Sequence, residues 1–199
     1  MEKQKFFFIL AAIIFLSGCY CKTCLKNSYD FEFSEEAKNR AANYIINKTG
    51  KTFFDNYIFP DYINSKQIGE NFELHYILTI PEKDYIKEPI IFTTDINGNV
   101  IEKYEISGIP DCKDNPEDGT FNITENEAED IATKAGMSKG IKDWKIDFMW
   151  SSEYAKYVWY VLCVKSEMHY EDNYKASGEE MIINPYDGKI ISHRNWDIK

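Results

Sequence analysis

The sequence predicts an α+β fold of two tandem repeats, each with one helix packed on an antiparallel sheet of about four strands. Three observations carry that reading. Tyr, Phe and Ile crowd into alternating runs rather than helical stripes, and aromatic residues reach 16% of the chain, which favours strands. Asn97-Gly98 and Asp187-Gly188 suit two-residue primed turns, where the backbone needs positive φ. The order of cap, helix, strands and tight turn recurs after about 90 residues, first from Ser34 and again from Thr124.

In the first unit, Ser34-Glu35-Glu36-Ala37 opens a helix whose apolar face is Ala37, Ala41, Tyr44 and Ile45, and Gly50 marks its end. Phe53 to Phe59 reads as an aromatic-rich strand, His75 to Ile80 as a second, and Ile91 to Ile101 as a strand pair about the Asn97-Gly98 turn. The second unit opens on the capping box Thr124-Glu125-Asn126-Glu127, with Ala128, Ile131, Ala132 and Ala135 behind it and Gly136 at the end. Trp144, Ile146, Phe148 and Trp150 alternate along one face of the next strand. Trp159 to Val164 comes after it, and Met181 to Ile191 folds about Asp187-Gly188. Between the units, Gly108 to Gly119 is dense in breakers and charge. The expected organisation is therefore residues 34–107, a linker over 108–123, and residues 124–199.

Ahead of the first unit, Lys3 and Lys5 precede the apolar run Phe6 to Leu16, and Leu16-Ser17-Gly18-Cys19 closes it as a lipobox of the bacterial type. Residues 1–18 are the expected lipoprotein signal peptide, Cys19 the lipidated residue, and 19–33 a tether outside the cytoplasmic membrane. The run is too short to span a bilayer comfortably, so acyl chains on Cys19 are the expected attachment to the lipid. Tyr20 is not the Asp associated with inner-membrane retention, which favours outer-membrane delivery where the host has such a membrane. Cleavage before Cys19 leaves 181 of the 199 residues and a net charge of about −11. Such acidity speaks against a nucleic-acid partner and chiefly serves solubility.

Each unit resembles the PepSY domain, a cystatin-like module with a short Ala-bearing helix and a terminal signature like valine-x-valine-Asp-x-x-x-Gly-lysine-valine. The carriers are Glu36-Ala37 with Asp95-Ile96-Asn97-Gly98-Asn99-Val100, and Ala128 with Asn184-Pro185-Tyr186-Asp187-Gly188-Lys189-Ile190. The first unit has one residue fewer between its Asp and Gly, and the second has Asn184 in place of the Asp. The resemblance implies an envelope or secreted module that binds or restrains another protein, often a peptidase, without catalytic residues or a cofactor of its own.

The residues themselves leave several chemistries to weigh. Cys112 lies in the linker, where it could form a disulfide with Cys21 or Cys24, while Cys163 sits mid-strand as a buried thiol. Cys21-Lys22-Thr23-Cys24 has redox spacing but no strand before it and no helix pattern after it. His169 lies near Glu167, Glu171 and Asp172 on a hairpin tip, a solvated cluster more than a metal site, and no metal is expected. No nucleophile elbow, phosphate loop or zinc-protease motif is present. On the strand through residue 160, Tyr160, Leu162 and Val164 are expected to face the helix, leaving Tyr157, Trp159 and Val161 on the other face. Those three either pack between units or form a partner-binding patch. The functional expectation is a membrane-anchored, non-enzymatic binding module. Its rivals are a scaffolding lipoprotein and an enzyme whose site assembles from dispersed residues.

Overall fold

The computed structural model describes residues 33–170 and 173–198. Helix α1 spans Glu35–Thr49 and α2 spans Lys51–Tyr57; strands β1 (Ile58–Pro60), β2 (Lys66–Ile68), β3 (Asn71–Ile80) and β4 (Lys83–Thr94) come next. After an irregular stretch containing the 3-10 turn Pro116–Gly119 come α3 (Glu125–Lys134), β5 (Lys145–Ser151), β6 (Lys156–Tyr170), β7 (Asn173–Ile183) and β8 (Ile190–Ile198).

Local chemistry explains both long helices. Ser34 accepts the Ala37 N–H at 3.1 Å to cap α1, and Gly50, at φ +80°, ends it. At α3 the capping box closes in both directions: the Thr124 N–H donates to Glu127 Oε2 at 2.8 Å, and the Glu127 N–H to Thr124 Oγ1 at 3.4 Å. Ala37, Ala41 and Ile45 of α1, and Ala128 and Ala132 of α3, are buried. These small residues let the helices lie close on their sheets.

The expected pair of equal one-helix repeats is overturned. Among the described residues the fold is mostly β, with 43% strand and 22% helix, three α-helices and two four-stranded antiparallel sheets. Two of the helices belong to the first half. Phe53 to Phe59, expected as a strand, is instead α2 running into the short β1. Its aromatics satisfy both periods, and packing decides: Phe54 reaches Tyr76 at 6.3 Å, Phe53 meets Tyr57 at 5.2 Å, and the Lys51–Asp55 pair supports the helical turn at 2.9 Å.

The sheets also differ in topology. In the first, β1 and β2 both pair with β3, and β4 pairs with β3 along its length. No strand among the described residues comes directly after the Asn97-Gly98 turn; only isolated bridges join Val100 to Thr94 and Ser107 to Ile91. The second sheet is a plain meander, β5-β6-β7-β8.

One buried cluster runs through both sheets. Tyr76 stacks on Phe92 at 5.8 Å under α1, and Phe148 stacks on Tyr157 at 5.3 Å in the second half. Tyr85 of β4 links them, 5.4 Å from Trp159 and 6.2 Å from Phe148. Separate cores are thus replaced by a shared one.

Candidate functional site

Tyr157, Trp159 and Val161 do not form a docking patch. All three are buried, and they share a face with Trp150, Phe148 and Ile146 across β5. The facing of β6 is the reverse of the expectation. Trp159, Val161 and Cys163 join the core with Ala128 and Ala132 of α3, and Trp159 Nε1 donates to Ile123 O at 2.8 Å just before the helix. On the opposite face, Tyr160 donates to Glu180 at 2.5 Å. Two apolar faces on one strand carry no label, so periodicity alone could not choose between them.

A concavity with a mixed polar and apolar lining lies where the two halves meet. Helix α1 contributes Tyr44 and Lys48 to one wall, the linker forms the second, and β5 with the turn after it brings Trp150, Tyr154 and Ala155 to the third, around about 740 Å³. That volume is within the range of small-ligand sites. Backbone bonds hold the linker in place: Lys113 N–H donates to Lys48 O at 2.9 Å, and Asn115 N–H to Asp111 O at 2.8 Å. From the second half, Tyr157 donates its hydroxyl to Gly108 O at 2.9 Å. Gly108 is needed here, since at φ +81° a Cβ would lie 2.4 Å from Pro89 O.

Charge in the cleft is lopsided. Asp111, Asp114, Glu117 and Asp118 line it against only Lys48 and Lys156. Both lysines are engaged, Lys156 with Asp118 at 2.9 Å and Lys48 over the Tyr44 ring at 5.9 Å. Neither Asp111 nor Asp114 has an ion pair among the described residues. Trp150 is seated edge-on against Tyr157 at 5.2 Å, so its position is fixed by the core behind it.

A smaller groove of about 400 Å³ beside the cleft contains Cys112. Burial, with the charges of Asp118 and Asp111 as lesser causes, pushes its thiol up to about 12, the opposite of an activated nucleophile. Among the described residues Cys112 and Cys163 form no disulfide, while Cys19, Cys21 and Cys24 lie outside the described residues. The lipidation and the disulfide expected at those positions therefore concern residues beyond the described ones.

A dense polar constellation among the described residues surrounds Glu179 on β7. Its carboxylate accepts from Ser138 Oγ at 2.8 Å, Ser138 N–H at 3.1 Å and Lys165 at 2.8 Å, with His193 Nε2 at 3.3 Å. The Lys165 and Ser138 bonds hold it down at about 2. His193 meets the carboxylate rather than the Ser138 hydroxyl, so the geometry tethers the loop after α3 to the sheet. Nothing in the Ser138 or Glu179 neighbourhood of the sequence announces this pairing across 41 residues. At the far end of β6, His169 is exposed and lies 3.7 Å from Glu167, which is already held by Lys142 and Tyr174. Among the described residues no group of three or more His, Cys, Asp and Glu is placed to hold a metal ion, and no helix is long and apolar enough to cross a membrane.

Comparison with protein-family models, curated proteins and solved structures finds no match.

Proposed function

We propose that this chain is a lipid-anchored protein of the bacterial cell envelope that binds another protein without turning it over. The observation that carries the reading is the cleft between the halves. Its aromatic side chains are rigid and amphipathic, its carboxylates stand ready for polar contacts, and its walls come from three separate elements. The lipobox ending at Cys19 supplies the anchor, with the bilayer as its first partner, and the acidic surface supports a protein ligand over nucleic acid. The resemblance to PepSY modules points the same way, toward an envelope or secreted client such as a peptidase.

Two measurements test this together. A clickable palmitate analogue should label the wild-type chain in cells and not Cys19→Ala. A photo-crosslinking residue placed at Tyr154 should trap a discrete protein adduct in intact envelopes. Labelling without any adduct would favour the scaffolding role, and turnover of a peptide, glycan or ester by the purified chain would replace binding with catalysis.

A further inference from the structure

We infer that the cleft between α1, the linker and the β5–β6 turn takes an arginine-rich segment of a partner polypeptide. This deepens the binding function proposed above and rests on it. The groups open to a ligand are those that remain after the cleft's internal contacts are subtracted. Lys156 is paired with Asp118, while Lys48 lies over the neutral Tyr44 ring and keeps its charge; with Asp111, Asp114 and Glu117 in the same lining, the cleft stays net negative. Trp150 and Tyr154 line the same cleft. Carboxylates and aromatic rings lining one cleft suit a cation with a flat or apolar body. The ring quadrupoles attract the charge, the stem packs on the rings, and the carboxylates accept the N–H donors.

Arginine fits this better than lysine. Its guanidinium is planar, stacks on aromatic rings and offers paired donors to a carboxylate, whereas an ammonium is a compact and strongly hydrated point charge. A second copy of this chain is disfavoured, because a protein of net charge −10 would set one acidic surface on another. The wall from the linker to the β5–β6 turn includes the exposed Asp114 and Ala155 at its rim, so the site opens onto the surface where a chain can pass. Glu117 adds negative charge at the same rim, with Lys189 near enough to feel it.

The test uses the full chain in detergent micelles and an octa-arginine amide as probe, measured by calorimetry and by Trp fluorescence. Binding is expected, with affinity falling at least tenfold between about 20 and 200 mM salt as screening shortens the reach of the carboxylates. Asp111→Asn with Asp114→Asn should weaken it at least tenfold, and Tyr154→Ala several-fold. The matched pair Glu129→Gln with Asp130→Asn, on the exposed face of α3, removes the same charge elsewhere and should leave binding within twofold. Equal loss in both double variants would mean attraction to net charge alone and would overturn the inference. Spermine binding as tightly as the peptide through the same residues would overturn it too, by assigning the site to small cations. The crosslink at Tyr154 separates the two levels. A protein still trapped by the Asp111/Asp114 variant keeps the binding function and removes the arginine-rich ligand, whereas no adduct and no peptide binding removes both.

Discussion

The turns at Gly98 and Gly188 are built from one device and lead to different structures. Asp95 accepts the N–H groups of Asn97 and Asn99, each at 2.9 Å, and its own N–H donates to Asn99 O. Asn184 likewise accepts the Tyr186 N–H at 3.0 Å, and its N–H donates to Lys189 O. Gly98 and Gly188 then take φ of +82° and +73°. Their surroundings differ. A Cβ on Gly98 would lie 2.2 Å from Ala37 O, inside the backbone of α1, whereas one on Gly188 would meet the movable end of Ile131 at 2.9 Å. After the first turn the chain makes two isolated bridges; after the second it runs into the nine-residue β8. Turn chemistry thus sets the reversal, and the neighbours of the turn decide whether a full strand comes after it.

The largest loss should come from attacking the core that the unlike halves share. Trp159 is 1% exposed and touches Tyr85 of the first sheet, Phe148 of the second and the main chain before α3. Trp159→Ala should cost about 3–5 kcal/mol, lowering the midpoint of a single urea transition monitored by circular dichroism. Two separate transitions would mean that the halves fold independently.

The two turn glycines come next in size. Gly98→Ala forces the turn away from the α1 backbone as well as straining φ, and should cost about 2–4 kcal/mol. Gly188→Ala, with only side-chain ends to displace, should cost about 1–2 kcal/mol. Equal losses in melting experiments would show that the Ala37 contact adds nothing beyond the turn itself.

How much of this is readable in the sequence depends on the range of the interactions. Ser34, the Thr124–Glu127 box and the turn glycines act within a few residues, so residue type and spacing announce them. Strand β5 is visible because Ile146, Phe148 and Trp150 alternate along one face, with Met149 the one apolar residue among Lys145, Asp147 and Ser151 on the other. The aromatic run over α2 fits two periods, and β6 is apolar on both faces, so only packing can assign them. The cleft is invisible for a further reason. Asp111 and Asp114 look like spacer residues in a linker, and nothing local reveals that Tyr44 and Tyr154 line the same cleft.

A smaller effect belongs to the seam between the halves. Burial, then the nearby charge of Asp147, pushes the Glu88 carboxyl from its ordinary 4.5 up to about 7. The folded chain therefore holds this proton more tightly than the unfolded chain does. The resulting stability is full below about pH 4.5 and is lost as pH rises to about 7. Because the side chain is only half-buried, the loss should be about 1–2 kcal/mol after allowance for solvent screening. Glu88→Gln should remove that slope in urea titrations between pH 4.5 and 8. A slope kept in full would place the titrating group elsewhere.

The smallest effect tests the rim of the cleft, where the β5–β6 turn has no glycine to relax it. Ala155 closes the β5–β6 hairpin at φ +49°, the one non-glycine residue with positive φ among the described residues. An L side chain there sets its Cβ against the neighbouring carbonyl, at a cost of about 1 kcal/mol. Glycine relieves that strain but gives back part of the gain, because it frees the unfolded chain. Ala155→Gly should therefore stabilise by at most about 0.5–1 kcal/mol, read as a small rise in melting temperature. The residue also lines the cleft beside Tyr154, so the variant separates two roles for the strain. If the strained turn only connects strands, octa-arginine affinity should stay the same as stability rises. If it presets Tyr154 for the ligand, the more stable protein should bind more weakly.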